Sequence, residues 1–311
     1  MHRSGTSFLA RALNLRGTYL GPADELISDD FRSSSDNLRG HWESNVFLKL
    51  ADQTLQKNSG TWHELPEKII VDDNLGNEIK KHSNNLLEHP SLAAGFKDPR
   101  IIFCLESWEK FLPANFILVG IYRHPLKVAE SLKQRNSFAY DKSINLWKQY
   151  NEKLLSLLEK YPGFLLNFDW PKQKLFSELD FISEKLGLSK KISLDEWYTS
   201  DLKKSDSLYN ETHTLNDSIL SVLSKLDKRS EQNSKVSIPS ISRTAENLSE
   251  IIDGLLLELE NQHNYFKKIN VANMKTIEDH KKTIEAIRSS PTWKTLTKID
   301  SVRKKLTSTK S

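Results

Sequence analysis

The stretch NFILVGIY, residues 115–122, constrains the fold more than any other part of the chain. Nearly every residue in it is apolar, so neither of its faces is suited to water. A run of this kind predicts a strand buried on both sides, as in a parallel sheet covered by helices. It ends in Arg123-His124-Pro125, where such a strand would turn into a helix. GFLLNFDW (163–170) predicts another strand, and SLAAGF (91–96), running into KDPR, a shorter one.

Helical patterns alternate with these strands. Phe8, Leu9, Ala12, Leu13 and Leu15 fall at helical spacing, and Gly17 is placed to stop that helix. Ser44 is a candidate N-cap for a helix with Val46, Phe47, Leu50, Ala51 and Leu55 on one face. A helix carrying VAESL follows Pro125, a long one covers about 140–160, and another ends near Gly187. The pattern predicts an α/β fold, a parallel sheet with flanking helices, plus a C-terminal helical appendage.

The 311 residues suit one domain of about 200 residues with an appendage. The reading divides the chain into a domain over 1–200, a polar and partly irregular segment over 201–247, and an amphipathic helical tail over 248–311. In that tail Leu255, Leu259, Gln262, Phe266 and Ile269 form a short heptad-like stripe, which suggests self-association. A net charge of +4 favours a local anion site over a nucleic-acid surface. The single cysteine, Cys104, excludes a disulfide within the chain and points to a reducing compartment, so a cytoplasmic location is expected. No run approaches the ~18 apolar residues of a membrane span.

Three segments carry chemistry. In HRSGTS (2–7), Gly5 lets the backbone curl at a helix start, where N–H groups and the helix dipole favour an anion. Ser4, Thr6 and Ser7 add hydroxyls, and Arg3 adds a guanidinium fork suited to phosphate or sulfate oxygens. The nucleotide-binding pattern G-x-x-x-x-G-K-[ST] is not met. In YRHPLKVAESLKQR (122–135), Arg123 lies at the carboxyl end of the strongest strand, where ligands of open α/β sheets collect. Ser131, eight positions on, lies about two helical turns along the same side. In GHWESNV (40–46), Glu43 stands just before a helix behind a long polar loop (22–40), with His41 as a rival base.

Taken together, HRSGTS opening a helix, KDPR after a middle strand and RHPLKVAESL after a later one resemble the sulfotransferases that use 3′-phosphoadenosine-5′-phosphosulfate. The resemblance covers about residues 1–200 and is closest to the bacterial branch linked to glycans and cell-surface polymers. It implies a P-loop-like fold in which Arg3, Ser4, Gly5, Thr6 and Ser7 hold the 5′-phosphosulfate, while Arg123 and Ser131 clamp the 3′-phosphate. It further implies Glu43 as base, with His41 second, and Lys97 stabilising the leaving oxygen beside Arg3. Asp98 is expected to tie down Arg100, and Lys203 and Lys204 are a weaker match to a basic strip of the family, with a solvated charge run the preferred reading. The expected reaction is metal-free transfer of a sulfuryl group to a hydroxyl or amine, with a glycan the favoured acceptor. A P-loop kinase lacks its loop lysine here, and a non-catalytic nucleotide-binding or assembly protein working through the tail is the rival from another class. The family has an apolar strand before its first loop, so the reading also expects a true start upstream of Met1 by roughly the length of one strand and its lead-in.

Overall fold

The structure, a computed structural model, describes residues 1–27, 41–89, 91, 93–188, 215–238, 267, 271, 274–286 and 289–290. It divides into two units, Met1–Leu255 and Leu256–Ser311. The first unit opens with α1 (Thr6–Leu15) and β1 (Thr18–Tyr19), then α2 (Asn45–Lys57) and α3 (Asp73–Glu88). Next come β2 (Ala93–Ala94), α4 (Ile101–Trp108) and β3 (Leu118–Tyr122). α5 (Pro125–Asn136) and α6 (Tyr140–Lys160) lead to β4 (Gly163–Asn167), followed by α7 (Lys172–Lys185) and α8 (Asp217–Ser230).

Among the described residues the chain is therefore α/β and mostly helical, with its strands in two parallel pairs. β3 runs beside β4 from Leu118↔Gly163 to Tyr122↔Asn167, and β1 beside β2 through Thr18↔Ala93 and Tyr19↔Ala94. The apolar run at 115–122 enters the ladder only at Leu118, whose N–H donates to Pro162 O at 3.0 Å. Upstream of Gly163 the partner is Pro162, whose nitrogen has no hydrogen to donate.

Side-chain alternation along β3 and β4 builds the layers. Val119, Ile121, Phe164 and Leu166 face a cluster with Phe8, Leu9 and Leu13 of α1 and Leu175, Leu179 and Ile182 of α7. Leu118, Tyr122 and Leu165 face the other way, into a cluster built by α5, α6 and α8. This is the double burial that a continuous apolar strand demands. A third cluster packs α2, α3 and α4 through Phe47, Leu50, Leu55, Leu75, Ile79 and Trp108. Ser44 caps α2 as expected, accepting from Val46 N at 3.3 Å. Val46 itself is only partly buried, and Thr54 takes the inner place, accepting from Trp108 Nε1 at 3.0 Å.

α8 lies within the segment read as polar and partly irregular. Ile219, Val222 and Leu226 bury its inner face in the same cluster as Trp147 and Leu165. Beyond it, Asn233 completes the outer edge of β4: its Nδ2 donates to Leu165 O at 2.9 Å and its Oδ1 accepts from Leu165 N at 3.0 Å. Arg229 donates to Gly163 O at 2.6 Å on the same edge.

In the second unit, residues 274–286 are helical and exposed, with Met274, Ile277 and Ile284 among the exposed apolar side chains. The stripe at 255–269, and Lys203 and Lys204, lie outside the described residues, as does most of the loop expected at 22–40. Among the described residues no helix is long and apolar enough to cross a membrane.

Candidate anion and base site

Five elements bring the site together. The first loop curls at Gly5, which has φ +87° and precedes α1 without a side-chain cap. The opening N–H groups of a helix have no intrahelical acceptor, so the end of α1 presents donors. A Cβ on Gly5 would lie 2.5 Å from Cδ2 of Phe168, so glycine is required twice over, by backbone angle and by contact. Phe168, at the end of β4, is the floor of the site. Phe8 packs on it at 5.7 Å between ring centroids, and the Arg123 guanidinium lies 5.4 Å above its ring.

Ser4 is fully buried, and its Oγ has no hydrogen-bond partner among the described residues. A buried hydroxyl costs free energy unless it is paired, so Ser4 Oγ is a polar atom with hydrogen-bonding capacity to offer in the loop. Arg3, at φ +64°, donates from Nε to Ser131 Oγ at 2.7 Å and so joins the loop to α5. Ser131 thus meets the loop through Arg3. Arg123 is buried at the tip of β3, with Nε 3.6 Å from Asp169 Oδ1. Asp169 also accepts from His124 N at 2.7 Å and Lys127 Nζ at 2.9 Å, which fixes the turn into α5.

On the other side of the loop stands a buried ion pair. Lys97 Nζ donates to Glu43 Oε1 at 2.6 Å, to His41 O at 3.0 Å and to Ser7 Oγ at 3.4 Å. Burial alone would raise the Glu43 carboxyl, but the charge and hydrogen bond of Lys97, with Arg100 behind it, hold it below the usual range. His41 takes part through its carbonyl oxygen. The N–H groups of His41 and Trp42 donate to Ile27 O, Ile27 N donates to Glu43 O and Asn45 N to Glu25 O, which holds this strip in place. Trp42, at φ +55°, lies under the Arg11 guanidinium at 4.1 Å.

Asp98 and Arg100 form a bidentate pair at 2.8 Å in each arm, and Arg100 also donates to Asp52 at 2.5 Å. Asp98 ties down Arg100, as the sequence reading expects. Burial pushes the Asp98 carboxyl up to about 6, against the pull of Arg100.

The structure therefore gathers Arg3, Ser4, Gly5, Thr6 and Ser7 with Ser131 on one side, and Glu43 and Lys97 with the His41 carbonyl on the other. Arg123 joins them across Phe168. Sequence reasoning passed over Phe168 and Asp169, although FDW closes the second strand as RHP closes the first. Cations around a curled helix start, beside a buried carboxylate, can hold an anion and receive a proton. Comparison of the chain with protein-family models, with curated proteins and with solved structures finds no match.

Proposed function

We propose that the protein is a sulfotransferase of P-loop-like fold that moves a sulfuryl group from 3′-phosphoadenosine-5′-phosphosulfate to a hydroxyl acceptor, a carbohydrate in the favoured case. One observation carries the reading. A loop with a buried, unpartnered Ser4 hydroxyl is joined through Arg3 to α5, and it adjoins, through Ser7 and Lys97, a buried carboxylate. The residues present fit such a donor. Ser4, the α1 N-terminus, Arg3 and Lys97 suit a 5′-phosphosulfate, and Arg123 with Ser131 suits a 3′-phosphate.

The donor, when bound, supplies a sulfuryl group activated by its 5′-phosphate. Glu43 accepts the proton of the acceptor hydroxyl as its oxygen forms the new bond to sulfur. The bond from sulfur to the phosphate oxygen breaks, and that oxygen keeps the electron pair. Arg3, Lys97 and the loop N–H groups stabilise the charge gathering there, a kind of preorganised donor that contributes about 3 kcal/mol each.

The test is calorimetry with 3′-phosphoadenosine 5′-phosphate, followed by transfer of labelled sulfate to a panel of saccharide, lipid and phenolic acceptors. Binding that Arg123→Ala weakens, with transfer that Glu43→Gln lowers and EDTA leaves intact, is expected. Absence of binding by the folded, full-length chain would remove the reading.

A further inference from the structure

The Lys97 ammonium has three hydrogens, and its three contacts are the Glu43 carboxylate, the His41 carbonyl and the Ser7 hydroxyl. Ser7 belongs to the anion loop and Glu43 to the base, so one cation stands between the two halves of the site. It cannot turn toward an anion in the loop without loosening a contact it already makes. The contact to Glu43 is the one an incoming anion competes with, because both are charged acceptors for the same ammonium.

Among the described residues Lys97 is the one cation bonded to Glu43. The other cation acting on it is Arg100, already engaged by both oxygens of Asp98 and by Asp52. Among the described residues the other charged or titratable groups acting on the pair are His41, which also draws the Glu43 carboxyl down, Asp98, and the Met1 amino group and His2 beside Lys97. A Glu43 carboxylate that loses Lys97 is left to the burial that raises it, with the Asp98 carboxyl interacting with it, and this favours taking up a proton.

We infer that Lys97 is a positioning switch: an anion held by the first loop draws it away from Glu43, and only then does Glu43 become an effective base. The inference rests on the sulfotransferase reading and adds an order to it. The donor loads first, and the acceptor hydroxyl is deprotonated afterwards. Until the loop is loaded, Glu43 is held as the poorly basic half of an ion pair. This suppresses proton abstraction when no sulfuryl group is in place.

The experiment uses the full chain with ¹³C-labelled glutamate, the Glu43 carboxyl resonance being assigned through Glu43→Gln. Its titration is followed without ligand and with saturating 3′-phosphoadenosine 5′-phosphate, whose binding is measured separately by calorimetry. The midpoint is expected to move to higher pH on loading, and binding to take up a proton when run in buffers of different ionisation enthalpy. In Lys97→Met the midpoint should already lie high without ligand and shift less on loading. If the nucleotide binds and the Glu43 midpoint stays where it was, the switch is refuted while the function stands. A shift as large in Lys97→Met as in the parent refutes it too, because the field of the ligand alone then explains the change. Failure of the nucleotide to bind at all removes the switch together with the function it rests on.

Discussion

Arg3 Nε donates to Ser131 Oγ at 2.7 Å, a bond between residues 128 positions apart in the sequence. It holds the Arg3 guanidinium against α5. Ser131→Ala should leave the fold intact and weaken 3′-phosphoadenosine 5′-phosphate binding by about 1–2 kcal/mol, roughly five- to thirtyfold in calorimetry. Parent-like affinity in this variant would show that the bond has no part in binding.

Gly5→Ala should be far more damaging than a methyl group suggests. The residue sits at φ +87° with the Phe168 ring inside contact distance of the added carbon. Backbone strain of this kind costs about 1–3 kcal/mol, and the clash adds to it. Urea unfolding of Gly5→Ala and of the double variant with Phe168→Leu separates the two effects. The double variant should recover part of the loss and never all of it, because its backbone angle remains unfavourable.

Asn233→Ala strips both hydrogen bonds from the backbone of Leu165, a residue with no exposed surface. Each unpaired buried group costs about 1–3 kcal/mol, so a total loss of about 2–6 kcal/mol is expected by denaturation. Hydrogen exchange at the Leu165 amide should accelerate with it. Asn233→Asp keeps an acceptor but loses the donor to Leu165 O, and should be no more stable than the alanine variant.

Acid should destabilise the protein earlier than its carboxylates alone would dictate. Burial, with Arg100, Lys97 and Arg135 around it, holds His2 well below its ordinary value of 6.5. The unfolded chain therefore binds the proton more readily. The contribution of His2 is present above pH 6.5 and is lost as pH falls below it. His124, also lowered by burial, acts in the same sense. Unfolding free energy measured between pH 7 and pH 5 should fall less steeply in His2→Gln, and an unchanged slope would sink this account.

β3, β4, α1 and α2 were legible because burial on both faces leaves an unbroken apolar run, and burial on one leaves helical spacing. The reading of α6 at about 140–160 matches Tyr140–Lys160. α3 went unread because Asn, Ser and Gly76 dilute its pattern. Yet Asp72 accepts from Leu75 N as an N-cap, and Leu75, Ile79 and Leu86 keep helical spacing. α8 was hidden among polar residues in the same way, though its Asn216 cap and its Ile219, Val222 and Leu226 face are plain in retrospect. The site was legible wherever its residues cluster in sequence, as Arg3–Ser7 do. It was illegible where residues far apart come together, and neither the Lys97–Glu43 bond nor the Phe168 floor can be read from spacing.

Asn233 and Arg229 occupy the outer backbone groups of β4 with side chains, where another strand would otherwise attach. These side chains also protect the molecule from its own kind. An uncovered strand edge is a template for pairing with any other extended chain. A polypeptide cut at residue 200, where the sequence alone would set the domain boundary, keeps the proposed site and sheds this shield. Such a fragment should be a sticky one, and its failure in solution would say nothing about its chemistry.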